Sequence, residues 1–285
     1  MSTPEGSPPK RKLAGTLARI VAGRRRRIAP EARTPESMAP LEGTPAELQR
    51  SDENNSFLSK LNEVKSHRPA IIAEVKMGSP RIGSLMHRLN PLDQARLYGN
   101  HGAAALSVVV EPDFFYGSYE LLERCRRISG LPVIAKDFVV NPVQLYWARE
   151  AGADAVLLIA ALYEAEELLD LAQRTRSLGM VPLIETHDQE DLAMLTGQPW
   201  ELVGVNNRNL RTFEVDLANS ETLAPQLPTG ALRVAESGIS SAAEIERLSR
   251  AGFDAFLIGE ALLLADNPGA QLSQFLDAQV TPRGD

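Results

Sequence analysis

The chain has 285 residues, of which 44% are hydrophobic and 24% are charged, so it is long enough for one large domain or two small ones with a buried core. This composition excludes disordered, collagen-like and coiled-coil proteins. The formal net charge of -7 disfavours a general nucleic-acid binder, and the lack of a long apolar run or an apolar leader predicts a cytoplasmic protein without a membrane span.

The first 66 residues differ in character from the remainder and are predicted to form an N-terminal extension with one or more helices. Residues 1–27 hold eight Lys or Arg and one Glu, and seven of the 19 prolines fall in the first 50 residues. Apolar residues recur at helical spacing, which predicts one helix that packs on the rest of the protein while Arg24 to Arg27 face solvent. These apolar residues are Leu13, Leu17, Ile20, Val21 and Ile28. Contact of the arginine run with RNA or a membrane is the less favoured alternative.

From residue 67 to residue 285, eight short apolar runs alternate with amphipathic segments. The runs are residues 70–75, 105–110, 131–136, 154–160, 180–186, 201–206, 232–237 and 254–260. Strands that are apolar on both faces and are followed by helices are typical of a parallel sheet covered by helices. Eight such units predict a (β/α)8 TIM barrel. A doubly wound open sheet is the alternative, but Gly78 to Ser84 lacks the lysine of a phosphate-binding P-loop.

Charged and polar side chains stand at the carboxyl ends of five of these runs. They are Glu74 and Lys76, Lys136, Glu185, Asn206, and Glu236 with Ser237. In a TIM barrel those ends meet at one mouth, where the active site of this fold is built. Clustered lysines and glutamates shift each other's pKa values, which is how a site obtains a general acid and a general base near neutral pH. The constellation therefore predicts acid–base chemistry.

No metal or other cofactor is predicted. Cys125 is the single cysteine, so it can form neither an internal disulfide nor a thiolate metal site. The four histidines, at positions 67, 87, 101 and 187, lack the spacing of metal ligands.

Glycines after the last two runs predict a phosphate site. Gly238 and Gly259 stand where the chain turns from strand to helix, and the backbone N–H groups of such turns can surround an anion. Glu260 is expected to contribute its backbone alone, because its carboxylate would repel a phosphate. Relief of backbone strain is the alternative role for both glycines.

Seven motifs, in this order, resemble those of the indole-3-glycerol phosphate synthase family. They are IIAEVK with Ser79-Pro80, LSVVVEPDFFYGS, IAKDF, the glutamate of PLIET, VGVNNRNL, VAESGIS and FLIG. LARIVAGRRRRI is similar to the helix that this family places against the barrel mouth, so the helices of residues 1–66 are expected to pack near the mouth. The resemblance implies a metal-free lyase of tryptophan biosynthesis that converts 1-(2-carboxyphenylamino)-1-deoxyribulose 5-phosphate into indole-3-glycerol phosphate, carbon dioxide and water.

The resemblance also implies roles for single residues. Lys136 matches the general acid and Glu185 the base, while Lys76, held by Glu74, would bind the substrate carboxylate and protonate the leaving hydroxyl. The other matched residues are Asn206, Glu236 and Ser237 for positioning, Phe115, Phe138 and Leu157 around the aromatic ring, Ser79 and Arg208 on the substrate, and Gly238, Gly259 and Glu260 at the phosphate.

The first loop departs from the family pattern. Met77, Gly78, Arg81 and Ile82 stand where the family has small, basic or polar residues. The altered loop leaves two alternatives open, a specialised paralogue in a secondary pathway and a non-catalytic interaction barrel. A sibling phosphate-binding barrel isomerase, which shares the fold and the phosphate loops, is the third alternative. The expected partner is a phosphorylated small molecule and neither nucleic acid nor membrane, and the protein is expected to be a monomer or a weak homo-oligomer.

Overall fold

The computed structural model describes residues 15–28, 55–80, 82–85, 87, 89–209, 212, 214–281 and 283. Leu13 and Arg81, which the sequence analysis singled out, lie outside these residues.

Eight parallel strands close into a barrel. They are β1 (Ala70–Val75), β2 (Ala105–Val109), β3 (Val133–Lys136), β4 (Ala155–Ile159), β5 (Val181–Thr186), β6 (Leu202–Asn206), β7 (Leu232–Glu236) and β8 (Ala255–Ile258). Each strand pairs with its neighbours in chain order, and β8 returns to pair with β1, with Ala255 opposite Ala70. Each predicted run contains one of these strands, so the TIM-barrel prediction is confirmed.

Helices cover the outside of the barrel and occupy both of its ends. They are α1 (Gly15–Ile28), α2 (Ser56–Lys65), α3 (Pro91–Asn100), α4 (Tyr119–Ser129), α5 (Val143–Glu150), α6 (Ala165–Ser177), α7 (Gln189–Ala193), α8 (Ala218–Leu223), α9 (Ala242–Arg250), α10 (Glu260–Leu264) and α11 (Pro268–Leu276). Local sequence sets their limits. Ser118 caps the start of α4 through the N–H of Leu121, and Gly130 ends that helix in the left-handed conformation.

Side chains alternate along each strand between the interior of the barrel and the layer under the helices, which gives two hydrophobic cores. In β5, Val181 and Leu183 point into the barrel, whereas Ile184 packs in the layer between strands and helices. Because side chains alternate with a period of two, Glu185 continues on the inward face and lines the cavity at the mouth. The interior therefore changes from apolar packing to charged groups at the carboxyl ends of the strands.

Helix α2 closes the amino end of the barrel. Phe57 and Leu61 on its apolar face are fully buried among inward residues of the strands, such as Ile72. Asn55 fixes the helix start, because its side-chain oxygen accepts the N–H of Phe57 and its amide donates to the carbonyl of Asp154. Of the helices in residues 1–66, α2 thus lies at the end opposite the mouth.

Helix α1 lies over the mouth, where Leu17 and Ile20 line the central cavity. The prediction that Arg24 faces solvent is wrong, because this side chain is only 4% exposed. Arg24 stands seven residues after Leu17 and four before Ile28, so helical geometry puts it on the buried stripe. Arg25, Arg26 and Arg27 are exposed, as the sequence predicted. Among the described residues, no helix is both long and apolar enough to cross a bilayer.

Candidate active site

A cavity of about 640 Å³ opens at the carboxyl ends of the strands. The site residues predicted from the sequence all line it: Glu74, Lys76, Ser79, Phe115, Lys136, Phe138, Leu157, Glu185, Asn206, Arg208, Glu236, Ser237, Gly238, Gly259 and Glu260. The fold therefore brings the predicted set together in one place. Ile239 and Leu264 also line the cavity, and the sequence analysis did not single them out.

Lys136 stands between two buried carboxylates. Its Nζ atom lies 2.9 Å from Oε2 of Glu236 and 3.3 Å from Oε2 of Glu185. The glutamates are 1% and 2% exposed, respectively. Lys136 and Glu236 are the last residues of β3 and β7, and Glu185 is the last but one of β5. Alternate strands of a TIM barrel contribute side chains to the same layer. The arrangement is a charged layer that faces the cavity.

A second ion pair joins Lys76 to Glu74, with 2.6 Å between Nζ and Oε1. Two glycines make room for the buried carboxylates. A Cβ on Gly259 would lie 2.4 Å from Oε1 of Glu74, and a Cβ on Gly204 would lie 2.2 Å from Oε1 of Glu236. These glycines thus have a packing role that the sequence analysis did not identify.

The pKa values in this layer move in opposite directions. Burial lowers the pKa of Lys136, but the carboxylates of Glu236 and Glu185 outweigh burial and hold that pKa above its ordinary value. Burial raises the pKa of Glu185, but Lys136 and His187 outweigh burial and hold that pKa below its ordinary value. For Glu236, burial dominates and raises the pKa, with a further contribution from Glu185. The expectation that the cluster brings its acid and its base near neutrality is therefore wrong for Lys136 and Glu185, because each stabilises the charge of the other.

His187 is a charged group of the site that the sequence analysis missed. Its Nε2 atom lies 3.2 Å from Oε1 of Glu185, and its Nδ1 atom lies 3.4 Å from Oδ2 of Asp191. The spacing of metal ligands does not reveal this role, whereas the position of His187 directly after β5, two residues beyond Glu185, does indicate it.

Apolar side chains form another part of the cavity wall. The rings of Phe115 and Phe138 lie 5.9 Å apart at an interplanar angle of 33°, and Leu157 is buried beside the cavity. The loop that carries Phe115 is folded around Glu111, whose carboxylate accepts the N–H groups of residues 113, 114 and 115. This wall suits a flat aromatic group.

The turn after β7 holds two consecutive residues with positive φ, Ser237 at 64° and Gly238 at 82°. A left-handed serine is strained, and such strain is found at functional sites. Asn207, which the sequence analysis did not select, donates from its amide to the carbonyls of Glu236 and Ser237. Asn207, the residue after β6, thus fixes the position of this turn.

Across the cavity rim, Arg208 and Glu260 form an ion pair. Nη2 of the arginine lies 3.1 Å from Oε2 of the glutamate. The Glu260 carboxylate therefore points toward the guanidinium of Arg208. Asn206, two residues earlier, accepts the N–H of Arg208 on its side-chain oxygen.

The first loop forms a small hairpin in which Gly78–Ser79 pairs with Gly83–Ser84. A Cβ on Gly78 would lie 2.6 Å from the ring of Tyr116, so this glycine allows the first and second loops to pack closely. Met77 is buried, and its carbonyl accepts the N–H of Leu85. Two of the departures from the family pattern, Met77 and Gly78, are thus accommodated by the packing of this loop.

A family model described as indole-3-glycerol phosphate synthase matches residues 17–275. A curated relative of that name from Albidiferax ferrireducens is 40% identical over 263 residues, covering 92% of this chain and 98% of the relative. Another, from Burkholderia vietnamiensis, is 39% identical over 262 residues, covering 92% of this chain and 99% of the relative.

Solved structures with low identity share the fold. A thiamine phosphate pyrophosphorylase from Pyrococcus furiosus has a TM-score of 0.55 at 14% identity and covers 77% of this chain and 95% of its own. An orotidine 5'-phosphate decarboxylase from Pyrococcus horikoshii has a TM-score of 0.55 at 12% identity and covers 73% of this chain and 98% of its own. At these identities the likeness extends to the barrel alone.

Proposed function

Because the chain belongs to the indole-3-glycerol phosphate synthase family, we propose that it is a carboxy-lyase of tryptophan biosynthesis. Its reaction is the ring closure, decarboxylation and dehydration of 1-(2-carboxyphenylamino)-1-deoxyribulose 5-phosphate to indole-3-glycerol phosphate. The observation that carries the proposal is the position of Lys136 between Glu185 and Glu236 at the cavity, with Lys76 and Glu74 beside them.

Ring closure requires a proton donor at the ketone oxygen of the substrate. The aromatic carbon that bears the carboxylate attacks the ketone carbon, and the oxygen takes a proton as the new carbon–carbon bond forms. Lys136 supplies this proton. Its neighbours Glu185 and Glu236 keep it charged until the substrate arrives, because their carboxylates stabilise the ammonium.

Loss of carbon dioxide then returns the bonding electron pair to the ring and restores its aromatic character. Dehydration follows. The hydroxyl leaves as water with a proton from Lys76, and the carbon next to the nitrogen gives a proton to Glu185 as the double bond forms. Glu185 is ionised in the free enzyme because Lys136 and His187 hold its pKa below its ordinary value, so its carboxylate is available to accept this proton.

The remainder of the cavity binds the substrate. The wall of Phe115, Phe138 and Leu157 takes the aromatic ring, and the turns at Gly238 and Gly259 take the phosphate through backbone N–H groups. Asn206 and Ser237 bind substrate hydroxyls. Ser79, in the first loop, and Arg208, on the rim, complete the contacts.

The proposal is tested by mixing the purified protein with the carboxyphenylamino substrate and following the appearance of indole fluorescence. We expect turnover that depends on Lys136, with Lys60→Met as the control, because Lys60 is a solvent-exposed lysine paired with Glu63 in α2. Absence of turnover in the parent protein, with the substrate still bound, would indicate a non-catalytic barrel instead.

A further inference from the structure

Three ionisable side chains form a line that starts in the cavity and ends inside the protein. Glu185 stands at the end of β5, His187 follows two residues later, and Asp191 lies in the first turn of α7. The imidazole lies between the two carboxylates, with its nitrogens 3.2 Å and 3.4 Å from their oxygens. Asp191 is 0% exposed. These are ion-pair contacts between groups that solvent hardly reaches.

The backbone holds the far end of this line in place. Oδ2 of Asp191 accepts the N–H of His187 at 2.7 Å, and the N–H of Asp191 donates to the side chain of Asp188 at 3.0 Å. From α8, the amide of Asn219 donates to the carbonyl of His187 at 3.1 Å. The backbone of His187 and the carboxylate of Asp191 are therefore fixed by hydrogen bonds, and the imidazole is held by its ion-pair contacts with the two carboxylates.

The two oxygens of Glu185 have different partners. Oε1 lies against His187, and Oε2 lies against Lys136, at 3.2 Å and 3.3 Å respectively. We propose that His187, held by Asp191, is a positioning residue for Glu185, which it clamps by one oxygen so that the other stays directed to Lys136 and the substrate. The inference rests on the proposed function, because it gives Glu185 the role of base.

The charges around the line agree with this role. Glu185 is faced by Lys136 from β3, by Glu236 from β7 and by His187, and the imidazole is faced by Glu185 and Asp191. Burial lowers the pKa of His187, but both carboxylates outweigh burial and raise it to about 9. The imidazolium offsets the repulsion between Glu185 and Glu236, so the base stays ionised at neutral pH.

The first test is the kinetics of His187→Ala and His187→Gln, with His67→Gln as the control, since His67 is exposed at the end of α2 far from the mouth. We expect His187→Ala to lower kcat by about tenfold to a hundredfold, with KM within about threefold of the parent. The acidic limb of the kcat profile should move to higher pH, because Glu185 loses a cation and its pKa rises. The His187→Gln variant should recover part of kcat, because its amide N–H can still donate to Glu185. The acidic limb of its kcat profile should stay at the higher pH, because the amide carries no charge.

The second test reads the imidazole directly and does not depend on turnover. Nitrogen NMR of labelled protein follows the four histidines against pH, and His187→Gln identifies the signal. We expect His187 to remain protonated well above pH 7 in the parent. Glu185→Gln and Asp191→Asn should each lower its pKa.

The outcomes separate the inference from the proposed function. A parent enzyme that turns over substrate, with a His187→Ala variant of unchanged kcat and pH profile, would overturn the inference and leave the function in place. A neutral His187 ring at pH 7 would overturn it as well. A parent without turnover, whose His187 still responds to Glu185→Gln, would overturn the function and retain the coupling of the two side chains.

Discussion

Arg24 and Asp137 form a two-pronged ion pair across 113 positions of the chain. Nε of the arginine lies 3.1 Å from Oδ1, and Nη2 lies 2.5 Å from Oδ2. Asp137 also accepts the hydroxyl of Tyr119 and the side-chain amide of Gln144. Because Asp137 directly follows Lys136, the helix that covers the mouth is fastened to the backbone that carries the proposed acid.

Loss of the ion pair between Arg24 and Asp137 should weaken substrate binding more than it slows the chemical step. We predict that Arg24→Gln raises KM by about tenfold and lowers the melting temperature, because a buried carboxylate loses its cation and Leu17 and Ile20 lose their fixed place over the cavity. Steady-state kinetics and thermal unfolding measure both effects. The exposed neighbour provides the control, and an Arg24→Gln variant that behaves like Arg25→Gln would contradict the prediction.

Substitution of the proposed acid should abolish most of the activity. Lys136→Met keeps most of the length of the side chain and removes the ammonium group that donates the proton, so we expect kcat to fall by about two to four orders of magnitude. Stopped-flow binding should show that the substrate is still bound. Turnover within about threefold of the parent would rule out Lys136 as the acid.

The base is tested by Glu185→Gln, which keeps the shape of the side chain and removes proton acceptance. We expect substrate affinity close to that of the parent and a slow chemical step in single-turnover experiments. Weak binding combined with normal chemistry would assign Glu185 to substrate binding instead.

The stability of the protein should depend on pH through His187. Its pKa is raised to about 9, so the stabilisation is complete below the ordinary value near 6.5 and is lost as the pH rises through 9. The difference between these values corresponds to about 3 kcal/mol in the free energy of unfolding. Urea unfolding at pH 6.5 and pH 9.5 should show this loss in the parent and in His67→Gln, and His187→Gln should lack most of it.

The strands and the charged layer could be predicted from the sequence because both follow from local patterns. Each apolar run marks a strand, and in a closed parallel barrel the residue at its carboxyl end has to face the mouth. Lys136, Glu185 and Glu236 therefore needed no long-range information. The two glycines that accommodate carboxylates did need it, because the need for space at Gly204 arises from Glu236 on the neighbouring strand.

Arg24 and His187 show what a local pattern does not contain. Four consecutive arginines are typical of a solvated surface, and the buried partner of the first one, Asp137, lies too far along the chain to be recognised. His187 lacks the sequence spacing of a metal ligand, and its partners in the fold are carboxylates on either side of the ring. In both cases the side chain is defined by the charge it meets in the fold.

The barrel is closed at the amino ends of its strands, so the cavity is open at one end. Phe57 and Leu61 of α2 pack against the inward side chains at the amino ends of the strands. Within the described residues the cavity opens at the opposite end, under α1 and the first loop. Substrate and product then bind in this one cavity and cannot occupy it together. Indole-3-glycerol phosphate should therefore inhibit competitively against the substrate.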